Sequence, residues 1–164
     1  MQTTAQAVLR KIFLSGCVLI LLTSMVGIAY AAKDRFVVLD NGTVKDQKSG
    51  LIWAAQDNGA AILWSASAPY CKNYSAGGKN DWRMPTSEEL ATLYGNRPKV
   101  KGQDYEKSID VATKLIKITA PWIWTERKMA KNKAMAFGFN YGVSRRLYRG
   151  NGENRRVLPV RSGR

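Results

Sequence analysis

The residues with the most evident chemistry crowd the C-terminal third. Within residues 127–164, Arg127, Lys128, Lys131, Lys133, Arg145, Arg146, Arg149, Arg155, Arg156, Arg161 and Arg164 stand against one acid, Glu153, with Tyr141 and Tyr148 interleaved. A guanidinium offers a planar fork that matches sulfate, phosphate or carboxylate oxygens two at a time. Aromatic faces stack on sugar rings or bases. Arg145, Arg146, Arg149, Arg155, Arg156 and Tyr148 are therefore the candidate polyanion-binding residues. The competing reading is an ordinary solvated surface on a basic protein. Lys99, Lys101, Lys107, Lys114 and Lys117 form a second, more diffuse group.

Catalytic chemistry has little to work with. The chain contains no histidine, which removes the commonest general base and transition-metal ligand. Asp40, Asn41 and Asp46 lack the spacing of a calcium loop and read better as turn residues. Glu88 and Glu89 suit a helix start, where acids complement the dipole. The expectation is a non-enzyme without metal or cofactor.

Location decides which polyanion is relevant. Arg10 and Lys11 precede Ile12–Ile28, 17 residues without charge, and Ala29-Tyr30-Ala31 follows as a small-x-small site. That order is a secretory signal peptide, residues 1–31, with an uncleaved membrane anchor as the alternative. Leu14-Ser15-Gly16-Cys17 has the letters of a lipoprotein box but begins the apolar run instead of ending it. Removing Arg10 and Lys11 from 26 basic residues leaves 24 against 12 acidic ones, a net charge of +12. The remaining stretch, 32–164, suits one domain. An exported protein of this charge meets envelope and host polymers before it meets a genome. It is expected in the periplasm or at the cell surface, and touches membrane only through an uncleaved N-terminal segment. Cys17 would leave with the signal, so Cys71 has no intrachain partner and reads as a small buried hydrophobe.

The elements that must position these residues follow from local patterns. Phe36-Val37-Val38-Leu39 is β-prone, Asp40-Asn41-Gly42-Thr43 is a hairpin turn, and Val44 resumes the strand. A turn at 47–50 leads into Leu51-Ile52-Trp53-Ala54. Residues 64–76 read as a helix, with Ser65 as cap, Trp64, Ala68, Cys71 and Tyr74 on one face, and Pro69 acceptable only in a first turn. Thr86-Ser87-Glu88-Glu89 is a capping box opening a second helix with Leu90, Leu93 and Tyr94 on its face. Residues 95–120 read as an exposed loop with room for one short helix. Trp122-Ile123-Trp124 and Ala134–Gly142 alternate as strands. Val157–Val160 closes the chain, Pro159 making that strand short or an edge. An N-terminal β-hairpin, two helices, a long loop and C-terminal antiparallel strands make an α+β fold.

Several of these segments resemble one family. Asp40-Asn41-Gly42-Thr43-Val44-Lys45-Asp46 with Ser49-Gly50-Leu51-Ile52-Trp53, then Asp81-Trp82-Arg83-Met84-Pro85-Thr86-Ser87-Glu88-Glu89-Leu90, Trp122-Ile123-Trp124-Thr125, Ala136-Phe137-Gly138-Phe139 and Pro159-Val160-Arg161 are similar, in order, to the Lcl C-terminal domain. That resemblance implies a C-type-lectin-like fold related to sulfatase-modifying factors. It also implies a bacterial envelope or secreted setting, sulfated-glycan binding and homo-oligomers. The chain lacks the collagen-like stalk and the C-terminal cysteine of many members. Trp53, Asp81, Trp82, Arg83, Pro85, Thr86, Glu89 and Arg161 then read as scaffold, with Arg83 pairing a nearby acid such as Asp81, or backbone carbonyls, and Arg161 in an ion pair. The leading expectation is an exported binding module for sulfated or acidic glycans. The alternatives are an assembly component binding an envelope protein and, behind it, nucleic-acid binding, for which no motif is present.

Overall fold

The computed structural model describes residues 34–95 and 108–163; the expected signal peptide and Lys99, Lys101 and Lys107 lie outside these residues. Asn41-Gly42 turns the chain as anticipated. Gly42 sits at φ +76°, and the Asn41 carboxamide oxygen accepts from the Thr43 N–H and hydroxyl. The result is a meander of β1 (Phe36–Val38), β2 (Val44–Asp46) and β3 (Leu51–Trp53). The closing strand β8 (Val160–Ser162) adds antiparallel to β3, giving the order β1-β2-β3-β8. The closing strand begins only at Val160, after Pro159, and not at Val157 as expected; it is short and lies at the end of the sheet order. The second sheet has the order β6-β5-β4-β7, built from β4 (Trp122–Lys128), β5 (Lys133–Gly138), β6 (Val143–Tyr148) and β7 (Arg155–Arg156). All its pairings are antiparallel except β4 with β7. The fold is α+β.

β4 from Trp122 to Thr125 and β5 from Ala134 to Gly138 are covered on both faces, while Glu126, Arg127 and Lys128 at the end of β4 are exposed. Ile123 and Phe137 enter one core with Val44, Trp53, Leu90, Leu93, Leu158 and Val160. Trp124, Ala134 and Ala136 enter a second core with Cys71, Met84 and Val157. The first helix, α1 (Trp64–Asn73), covers the second core. Its buried residues are Ser67 and Cys71, not Ala68, which is exposed. Leu63, not Ser65, is the N-cap, and no side chain caps the end. Pro69 lies inside the helix, beyond the first turn. Its missing N–H would bond the Ser65 carbonyl; both residues are solvent-exposed, which makes the lost bond less costly than in a buried helix. Burial pushes the Cys71 thiol up to about 12.

Residues 108–120 are not the exposed loop expected. Ile116, Ile118 and Ala120 are buried, Val111 bridges to Tyr94 and Lys117 to Gln56. Isolated bridges and an irregular backbone hide such packing from any periodicity rule. Among the described residues, no helix is long and apolar enough to cross a membrane.

The Asp81–Thr86 segment locks the closing strand to α2 (Ser87–Thr92). The Arg83 N–H donates to the Val160 carbonyl at 2.9 Å and the Val160 N–H returns the bond at 3.0 Å. Asp81 pairs with the buried Arg161 at 2.7 Å. Arg83 pairs with a nearby acid and a backbone carbonyl, but the acid is Glu89 and not Asp81: its two terminal nitrogens hold Glu89 at 2.9 and 2.6 Å, and one also donates to the Met84 carbonyl. Glu89 completes the capping box, accepting from the Thr86 N–H at 2.8 Å while its own N–H donates to the Thr86 hydroxyl at 3.1 Å. Trp82 is buried, edge-on to Tyr74 at 4.9 Å between centroids.

Burial alone would raise the Glu89 carboxyl, but the Arg83 and Thr86 hydrogen bonds outweigh it and hold the group below its usual range. The same balance holds Asp46 low, against burial, through Arg35, Ser49 and the Lys48 N–H. Folded values below the unfolded ones mean stability that is present at neutral pH and lost as pH falls through the folded values. Thr86→Ala is expected to cost about 1 kcal/mol. Glu89→Gln is expected to flatten the acid limb of the stability curve. Urea denaturation across the acid range measures both.

Candidate functional site

β6 follows a sheet whose inner strands are covered, and its own six residues are exposed apart from the half-buried Leu147. The strand was not anticipated from the sequence: without apolar alternation, an edge strand leaves no periodic signal. Its register separates the arginines. Ala136 pairs with Arg145 and Ala134 with Leu147, on the face that carries Trp122 and Trp124. Met135 pairs with Arg146 and Lys133 with Tyr148, on the other face. Neighbours in sequence thus point to opposite sides.

On the first face, guanidinium groups lie against aromatic rings. Arg145 is 5.9 Å from the Trp122 centroid and 5.4 Å from that of Tyr141. Arg149, just past β6, is 5.5 Å from Trp64, and Arg155 is 5.5 Å from Trp124. All fall within the range where a ring quadrupole attracts a cation. Two indoles are fixed by their N–H groups: Trp64 donates to the Thr125 carbonyl and Trp124 to the Ile62 carbonyl, each at 2.9 Å. Gly138 is what lets Trp122 lie over β5, because a Cβ there would meet the indole at 2.7 Å.

These cations differ in availability. Arg145 is exposed. Arg149 is half-buried and donates to the Asn132 side chain at 3.2 Å. It lines a shallow cleft of about 450 Å³ with Leu63, Ser65, Asn132, Tyr148 and Gly150. Tyr148 is 63% exposed, with the Lys133 ammonium 4.9 Å from its centroid. Arg155 is half-buried, donates to the Asn151 and Glu153 carbonyls, and is drawn below its ordinary pKa by burial. Arg156 donates to the Thr119 hydroxyl at 3.1 Å and to the Arg155 carbonyl. That hydroxyl in turn donates to Asp57, whose carboxylate also accepts from the Thr119 and Gly59 N–H groups. Arg155 and Arg156 thus tie β7 into the fold. Arg145 and Arg149 remain for a ligand on the tryptophan face; Arg146 and Tyr148 belong to the other face, and Tyr148 lines the cleft beside Arg149 from the end of the strand. Trp64, Trp122 and Asn132, not singled out beforehand, complete the surface.

Asn41 and Asp46 are committed to their turn and to Arg35, 2.8 Å from Asp46. Among the described residues, no group of three histidine, cysteine or acidic side chains is placed to hold a metal ion.

Fold and surface together define a small α+β domain that carries aromatic-backed arginines beside an open sheet edge. The family model of the Lcl C-terminal domain matches residues 42–161, and the chain belongs to that family. No curated protein matches it.

Arg155→Ala removes packing against Trp124 and two carbonyl hydrogen bonds, and is expected to cost about 1–2 kcal/mol. Arg145→Ala is expected to stay within about 0.5 kcal/mol of the parent. Paired urea titrations distinguish a structural arginine from an available one.

Proposed function

We propose that this chain is an exported, non-catalytic binding module of C-type-lectin-like architecture that holds sulfated or acidic glycans at the bacterial envelope or a host surface. The observation that carries the reading is the pair Arg145 and Arg149, each laid on an indole along one face of the second sheet. A ring beneath a guanidinium orients its fork and reduces the rotamer freedom lost on binding. The two α-carbons are about 13 Å apart along an extended chain. That spacing suits a polymer with repeated anionic groups better than a single small anion.

The adjoining cleft adds what a sugar requires. Tyr148 offers an exposed ring face, and Asn132 and Ser65 offer polar groups beside it. The N-terminal order of charge, apolar run and small-residue site favours export, which ranks glycans above nucleic acid as the partner. The absence of histidine from the chain and the burial of the Cys71 thiol favour binding over catalysis. The oligomer implied by the family would array several such surfaces and raise avidity.

The purified chain should be retained on immobilised heparin at low salt, elute as salt screens the contacts, and be unaffected by EDTA. Arg145→Ala and Arg149→Ala should each weaken binding to a heparin oligosaccharide about tenfold, roughly 1.4 kcal/mol. Arg156→Ala should not alter affinity beyond its effect on the folded fraction. Flow-through at low salt, or tighter retention on single-stranded DNA than on heparin, would sink the glycan reading.

A further inference from the structure

Among the described residues, no strand pairs with the outer edge of β6. Just past the strand, the Arg149 N–H donates to the Asn132 carbonyl at 2.9 Å. With the constant register of β5 and β6, this bond fixes the alternation of the ladder. Val143, Arg145 and Leu147 bond inward, while the backbone groups of Ser144 and Arg146 point away from β5. An open edge of this kind is a template for another strand. Beside it, on the face opposite Trp122, runs a groove of about 750 Å³ with Met129 and Met135 among its lining and Lys131, Lys133 and Arg146 at its cations.

The charges select the occupant. A second copy pairing at this edge would bring Arg145 and Arg146 against their own equivalents, and like charges opposed across a ladder are destabilising. A strand bearing carboxylates meets the opposite situation, with Arg145 on one face and Lys133 and Arg146 on the other. The methionines give one apolar side chain a polarizable, adaptable seat. We propose that β6 takes up, by strand addition, an extended acidic segment of a partner protein, with one apolar side chain seated on Met129 and Met135. Backbone hydrogen bonds supply affinity in this mode, and the side-chain seats supply specificity. The surface differs from the indole-backed face proposed for glycans and shares only Arg145 with it.

The test uses the purified chain and a short fluorescent peptide alternating glutamate with valine, read by anisotropy. Saturable binding is expected. Arg146→Glu should weaken it at least about tenfold, and methylating alternate peptide nitrogens should abolish it with charge unchanged. Ser144→Pro removes an outward N–H at an edge position where proline is tolerated. It should weaken the peptide while leaving heparin retention at the parent value, so the two readings fail separately. Equal affinity for the methylated peptide would overturn the proposal, reducing the edge to a diffuse polyanion surface. No binding, or binding unaffected by Arg146→Glu, would also overturn it. The methylated-peptide comparison needs no variant and stands even if Ser144→Pro does not fold.

Discussion

Burial of the β4–β5 hairpin on both faces is the constraint from which the rest of the structure follows. Ile123 and Phe137 point into one core, Trp124 and Ala136 into the other. A strand pair between two cores requires a cover on each side. α1 covers the tryptophan side, and α2 with the first sheet covers the other. The covers reach β6 only at Leu147, so the rest of this strand, one step out from the covered pair, is exposed. The arginines of β6 owe their availability to that geometry and not to their number.

The same constraint explains why the cations differ in role. Trp122 and Trp124 project toward the side of the sheet where Arg145 and Arg155 lie. β7 pairs with β4 beside the core, so Arg155 and Arg156 are drawn into hydrogen bonds with carbonyls and Thr119. Arg145 lies beyond the core and keeps its fork in solvent. The five arginines within residues 145–156 carry the same charge; the hydrogen bonds of Arg155 and Arg156 to backbone carbonyls and Thr119 separate them from Arg145 and Arg149. The Arg83–Glu89 and Asp81–Arg161 pairs play the corresponding structural part at the other sheet, joining the closing strand to α2.

Local chemistry made much of this fold legible in the sequence. The Asn41-Gly42 turn, the Thr86–Glu89 capping box and the Trp122–Trp124 alternation each act within a few residues, and each lies where expected. Failures came where tertiary context prevailed. Ser67 replaced Ala68 on the buried face of α1, and Pro69 was tolerated because its neighbours face water. Ile116 and Ile118 packed inward from an irregular segment. β6 carried no apolar period, so adjacent Arg145 and Arg146 read as one cluster when strand geometry places them on opposite faces. Membership of the Lcl C-terminal domain family, by contrast, was readable from motifs that are mostly scaffold. That explains why the family was easier to recognise than the ligand-contacting residues.

The proposed function rests on the indole-backed arginines of one sheet face. A nitrogen–proton NMR titration with a heparin oligosaccharide tests it most directly. Saturating shifts are expected at the side-chain Nε–H of Arg145 and Arg149 and at the indole N–H of Trp64 and Trp122, with the β1–β3 meander unchanged. Shifts centred on the meander, or spread evenly over every basic residue, would contradict the assignment.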